Sequence, residues 1–136
     1  MIVDTSAVIA ILFREPTAEP LKRILEASRN TKISAATLVE LQSVIEHRAP
    51  DNTLKVNRIL AEYQIKTIDF TAEQALVTRE AYRIYGKASN HKANLNMGDC
   101  FSYALAITSG EPLLFVGDDF KHTDVPAALV PRSATR

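Results

Sequence analysis

Acidic side chains stand at Asp4, Glu40, Asp99 and the adjacent Asp118 and Asp119. Each has an ordinary explanation when taken alone. Asp4 suits the cap of a helix that starts just after it. Glu40 suits a solvated helix face, Asp99 the first turn of a helix, and Asp118-Asp119 after Gly117 a turn. Together they suggest chemistry. Carboxylates gathered in one place repel one another and stay ionised only beside a cation. An all-oxygen donor set with no Cys/His cluster suits Mg²⁺ or Mn²⁺ and argues against zinc. Ions held by carboxylates activate water and neutralise an attacked phosphate, which is the equipment of phosphodiester hydrolysis.

Alternating elements would have to position these acids. Ile2–Asp4 reads as a buried strand, and Ser6–Phe13, apolar all round, as a buried helix. Pro16 suits the first turn of a second helix carrying Leu21, Ile24 and Leu25 on one face. Lys32–Ser34 is a second strand, after which Ser34 caps a helix over Ala35–Arg48. Pro50-Asp51-Asn52 is a turn and Leu54–Tyr63 a helix. Ile65–Phe70 is a third strand, and Thr71 with Gln74 opens a helix running to Tyr85. Gly86–Met97 has no apolar period and reads as a loop. A helix from Gly98-Asp99 through Ile107 leads to a fourth strand, Leu113–Val116, and a turn over Gly117–Phe120. Ala127–Val130 is a candidate fifth strand, and Pro131–Arg136 a frayed tail.

Strands separated by helices imply right-handed crossovers, a mostly parallel sheet of four to five strands, and helices on both faces: an α/β chain in three α/β/α layers. Ligands in such folds bind beyond the carboxyl ends of the strands. Asp4 and Asp118-Asp119 follow strands there. Asp99 opens a helix, and Glu40 borders the apolar stripe of its own.

The chain of 136 residues, 46% hydrophobic and 24% charged, reads as a single domain over 1–136 with a full core. No apolar run approaches the ~20 residues of a membrane span. Met1-Ile2-Val3-Asp4-Thr5 lacks the basic start of a signal peptide. The single Cys100 permits no intrachain disulfide and fits a reducing cytoplasm. Sixteen basic residues cancel sixteen acidic ones, so no global charge argues for a nucleic-acid partner.

Four segments carry a family likeness: Ile2-Val3-Asp4-Thr5-Ser6-Ala7, Ser34-Ala35-Ala36-Thr37-Leu38-Val39-Glu40, Leu95-Asn96-Met97-Gly98-Asp99-Cys100-Phe101-Ser102-Tyr103-Ala104-Leu105-Ala106, and Pro112-Leu113-Leu114-Phe115-Val116-Gly117-Asp118-Asp119-Phe120 followed by Thr123-Asp124. In order and spacing they resemble the VapC-type PIN-domain toxins of toxin–antitoxin pairs. The resemblance implies a PIN fold whose acidic pocket binds Mg²⁺ or Mn²⁺. It also implies an endoribonuclease leaving 5′-phosphate and 3′-hydroxyl ends. Asp4, Glu40 and Asp99 would then be metal-binding acids, with a fourth from Asp118 or Asp119. Asp118, nearer the strand end, is the first choice. The likeness further implies an RNA substrate, a VapB-like antitoxin over the acidic groove, and a homodimer.

Thr5 and Ser6, beside the first acid, are candidates for orienting water or phosphate, though helix capping explains them equally well. Arg79, Arg83, Lys87, His91 and Lys92, interleaved with Tyr82 and Tyr85, suggest a phosphate-tracking surface, against the alternative of a solvated helix face over core tyrosines. Leu12-Phe13 with Leu38, Leu41 and Ile45 offers apolar surface for a dimer interface. Cys100 reads as a core residue, and His47 and His122 as surface residues. Two other functions fit part of the pattern. One is a non-catalytic RNA- or partner-binding module with a vestigial pocket. The other is a phosphatase using Asp4 as nucleophile, which would want a second Asp where Ser6 stands.

Overall fold

The computed structural model describes residues 1–128. Four short strands, β1 (Ile2–Val3), β2 (Lys32–Ser34), β3 (Lys66–Ile68) and β4 (Leu113–Leu114), form one sheet in the order β3-β2-β1-β4 with every pairing parallel. Helices α1 (Thr5–Leu12) and α2 (Ala18–Ala27) cross from β1 to β2. α3 (Ala35–Arg48) and α4 (Thr53–Glu62) cross from β2 to β3, and α5 (Ala72–Tyr85) and α6 (Met97–Ser109) return the chain to β4.

Two apolar cores lie on opposite faces of this sheet, because neighbouring strand residues point to opposite sides. Val3, Ile33 and Leu114 pack with Ala7, Val8, Leu21, Leu41, Ile45, Val56 and Ile59 from α1 to α4. Ile2 and Leu113 face the other way, onto Ala81 of α5 and Cys100, Tyr103 and Leu105 of α6. The expected three-layer architecture therefore follows from consecutive buried residues in β1 and β4. The strand order reverses between β1 and β4, the switch point where a crevice opens beyond the carboxyl ends of a parallel sheet.

Several boundaries differ from those the sequence suggests. The first strand stops at Val3: Asp4 still donates its N–H to the Leu114 carbonyl of β4, but its side chain already caps α1, which starts at Thr5. Pro20, not Pro16, occupies the first turn of α2, where its missing N–H has no helical partner to lose. The third strand is only Lys66–Ile68, and the fourth ends at Leu114. The segment expected to be loop contains a 3-10 turn, Lys87–Ser89, and Gly86 bridges Leu95. Ala127 bridges Leu113 in parallel sense. Ala128 donates its N–H to the Leu113 carbonyl at 2.9 Å. The last two residues of the candidate fifth strand, Leu129 and Val130, and the tail from Pro131, lie outside the described residues.

The apolar surface assigned to a dimer is largely absent. Leu41 and Ile45 are 0% and 1% exposed and belong to the first core, with Leu12 and Leu38 packed against it. They face α1 and α4 within the same chain, and of that set only Phe13 is exposed. Among the described residues, the large apolar side chains left in solvent include Val39, Leu54, Leu76, Ile84 and Met97 instead.

Candidate active site

Asp4 closes β1 and caps α1, its extended backbone letting a carboxylate oxygen accept the Ser6 N–H at 3.0 Å. The same oxygen, Oδ2, accepts the Ser6 hydroxyl at 2.7 Å, and Oδ1 accepts the Ser102 hydroxyl from α6 at 2.6 Å. The residue is 3% exposed. Burial pushes its carboxyl above the usual range, against the pull of these hydrogen bonds toward the ionised form.

Glu40 comes from the second turn of α3. Its Oε1 accepts the Thr5 hydroxyl at 2.9 Å, so consecutive residues of one helix start reach two different acids. Its other oxygen lies over the first turn of α6, against Gly98: a Cβ built on Gly98 would fall inside the Glu40 carboxylate. The free N–H groups of a helix start favour an anion there. Partial burial raises the Glu40 carboxyl, the Thr5 bond lowers it, and the charge of Asp4 raises it further.

Asp99 is the third residue of α6 and completes a reciprocal cap with Asn96. The Asn96 side chain accepts the Asp99 N–H at 2.8 Å, while Asp99 Oδ2 accepts the Asn96 N–H at 3.0 Å. Its carboxyl is pushed up to about 7. Burial is the main cause, opposed by the Asn96 bond, with added repulsion from Asp4, Asp119 and Glu40. Among the described residues no cation pairs with Asp4, Glu40 or Asp99; the ion pairs present lie elsewhere.

The two candidates for the fourth acid, Asp118 and Asp119, have different neighbours. Gly117 turns the chain with φ 101°, in the left-handed region that favours glycine, and Asp118 emerges into solvent. Its side chain is 80% exposed and pairs with Lys121 at 3.0 Å. Asp119, one residue on, is exposed as well, and its charge adds to the repulsion on Asp99.

Thr5 and Ser6 aim their hydroxyl protons at Glu40 and Asp4, so they position the acids and do not stand free for a substrate. Arg83 is committed to Glu80 one turn away, with Arg79 nearby in the same electrostatic group. Arg79 and Lys87 are exposed, and among the described residues none of the three bonds to the acidic cluster. The neighbouring tyrosines are partly buried: Tyr82 and Tyr85 pack on the second core, and Tyr85 donates to Asp124 at 3.3 Å. The run is thus an exposed basic helix face over partly buried tyrosines.

Sequence reasoning assigned no role to Ser102, Thr37 or Gly98. A signal for Gly98 was present, because glycine inside a helix costs about 1 kcal/mol relative to alanine and needs a reason. Ser102, three residues after Asp99, is the polar position on an otherwise apolar buried face.

The donor set suits a hard divalent cation, since every group is a carboxylate or hydroxyl oxygen. No three His, Cys, Asp or Glu side chains among the described residues converge into a ready-made cage. Magnesium does not require one, because it commonly keeps several waters and takes one or two carboxylates.

A family model described as PIN domain matches residues 1–126. The chain is 50% identical to ribonuclease VapC42 of Mycobacterium tuberculosis over 129 residues, 94% of this chain and 98% of that protein. Its fold is similar to the crystal structure of Mycobacterium tuberculosis VapC20, a Sarcin-Ricin loop cleaving toxin. The TM-score is 0.71 at 17% identity, with 93% of this chain and 97% of that one covered. VapBC2 from Rickettsia felis, bound to a DNA fragment from their promoter, gives a TM-score of 0.70 at 18% identity over 93% of this chain and 94% of that chain.

Proposed function

The chain belongs to the PIN-domain family, as a VapC-type member, and we propose that it is a divalent-metal-dependent endoribonuclease, the toxin of a VapBC-like toxin–antitoxin pair. The observation that carries the reading is geometric. Glu40 of α3 takes the Thr5 hydroxyl next to Asp4 and lies against Gly98 next to Asp99, so acids from β1, α3 and α6 share one pocket, where the charges of Asp4 and Glu40 raise the Asp99 carboxyl. Its ribonuclease relatives, alike over nearly their whole length, support the same reaction class. The solved complexes of similar fold support an antitoxin partner. No helix among the described residues is long and apolar enough to cross a membrane. The proposed place of action is the cytoplasm, on RNA.

Asp4, Glu40 and Asp99 would hold Mg²⁺ or Mn²⁺, with Asp119 as the fourth acid at the rim. When bound, the ion supplies an activated water and neutralises charge on the phosphodiester. The chain's own part is to place the oxygens. Both Asp4 oxygens are fixed by hydrogen bonds, Glu40 is held by Thr5, and Asp99 is held through Oδ2, which serves the cap. Hydrolysis by water with loss of the 3′ oxygen would leave 5′-phosphate and 3′-hydroxyl ends. Asp4 is a poor candidate for a phosphatase nucleophile, being 3% exposed with both oxygens engaged.

The test is to sequence the 5′ ends of RNAs cut after expression of the unaltered protein and of Asp99→Ala, with cleavage in vitro followed with and without chelator. New 5′-phosphate ends that require Asp99 and a divalent ion are expected. Cleavage that persists in Asp99→Ala, or in chelator, would remove the assignment.

A further inference from the structure

Thr37 of α3 and Ser102 of α6 are both 0% exposed, and their hydroxyl oxygens lie 3.1 Å apart, beneath the Asp4 carboxylate. The direction of each proton follows from the inventory of donors. A serine hydroxyl carries one proton. That of Ser102 is directed at Asp4 Oδ1 at 2.6 Å, a short contact of the charge-assisted kind. Ser102 can then only accept in its second contact, so Thr37 donates.

The other carboxylate oxygen repeats the arrangement. Ser6 gives its proton to Asp4 Oδ2 at 2.7 Å and accepts the Val116 N–H at 3.0 Å. Each Asp4 oxygen therefore faces a hydroxyl that is itself polarised by a donor behind it. Such chains strengthen in a low-dielectric interior. One chain is anchored in backbone just past β4. The other is built wholly from side chains and ties α3 to α6 across the pocket. These helices also bring in Glu40 and Asp99, each three residues, about one turn, from its hydroxyl neighbour.

We propose that Thr37 and Ser102 form a polarised hydroxyl relay that positions Asp4 Oδ1, and so set the affinity of the pocket for a divalent cation. The inference rests on the reading of Asp4 as a metal-binding acid and deepens it with two positioning residues. Neither touches substrate: Ser102 acts through Asp4, and Thr37 acts through Ser102.

The experiment titrates Mn²⁺ alone into chelator-stripped protein by calorimetry, for the unaltered chain and for Ser102→Ala, Thr37→Val and Thr37→Ser, with near-UV circular dichroism as a check of packing. Removing a hydrogen-bonding partner behind a metal ligand commonly weakens affinity about 10- to 100-fold, the loss expected for Ser102→Ala. Thr37→Val keeps the shape and loses the donor. It should weaken Mn²⁺ binding several-fold, and Thr37→Ser should restore it, a rescue that a packing role would not give. Ribonuclease assays should show the loss in kcat at saturating RNA with KM for RNA little changed. If folded Ser102→Ala and Thr37→Val bind Mn²⁺ as tightly as the unaltered protein, the relay has no such role. Should Ser102→Ala fail to fold, the comparison of Thr37→Val with Thr37→Ser decides the matter alone. If the unaltered protein binds no Mn²⁺, the metal-site reading falls first and takes the relay with it.

Discussion

The Glu40 carboxylate occupies the space that a side chain at position 98 would need. Helices α3 and α6 can present their acids to one pocket only because Gly98 lacks a Cβ. The favourable backbone of alanine in a helix is given up there for access.

Gly98→Ala should separate activity from stability. The displaced group is the end of a flexible side chain, so Glu40 will swing away and the fold will hold. The helix gains up to about 1 kcal/mol in propensity against a local clash, leaving the net change small. RNA cleavage should fall at least tenfold while the denaturant midpoint moves little. A variant that cuts RNA at the normal rate would show that Glu40 need not lie against α6.

Stability of the metal-free protein should fall as pH rises from about 4 to about 7, opposite to the usual trend for paired carboxylates. Asp99 holds its proton up to about 7 when folded and to 3.8 when free. The folded state therefore binds more protons than the unfolded state across that window, and each rise in pH favours unfolding. Asp4 and Glu40 are raised in the same direction. Thermal melts in chelator should give a lower Tm at pH 8 than at pH 5, and Asp99→Asn, which can keep the cap to Asn96, should narrow the gap. An equal gap in Asp99→Asn would place the pH dependence elsewhere.

Divalent ions should reverse that loss. A ligand that binds only the folded state at one hundred times its dissociation constant adds about 2.7 kcal/mol. Magnesium or manganese at pH 8 should thus raise the Tm clearly, and the rise should be reduced in Asp4→Asn. Calorimetric scans with matched ionic strength separate this from general screening.

The two neighbouring acids after β4 should prove unequal. Asp118 is solvent-exposed and paired with Lys121, an arrangement worth about 0–1 kcal/mol, so Asp118→Asn should keep cleavage within about twofold. Asp119→Asn should lose most of it, since its charge is the one felt by Asp99. The reverse order of effects would restore Asp118 as the fourth acid.

Much of this molecule was legible in its residues. Six of the helices and all four strands follow from apolar period, caps and turn residues, because those signals are local: Ser34 caps α3, and Thr71 caps α5, as their side-chain chemistry requires. The acids were legible as types, and their ordinary and chemical explanations turn out to be compatible. Asp4 caps α1 and Asp99 completes a capping box, and the same caps hold them in the pocket.

What the chain alone left open depends on contacts between distant segments. Whether Leu41 and Ile45 face a partner or the core is a matter of where α1 and α4 lie. Asp118 and Asp119 are adjacent, carry the same charge and are both exposed, and only the folded turn pairs the first with Lys121 and brings the charge of the second to bear on Asp99. Thr37, Ser102 and Gly98 are ordinary residues in sequence. Their roles arise where α3 and α6 meet, because hydrogen bonds and steric exclusion act over a few ångströms between residues 58 to 65 positions apart.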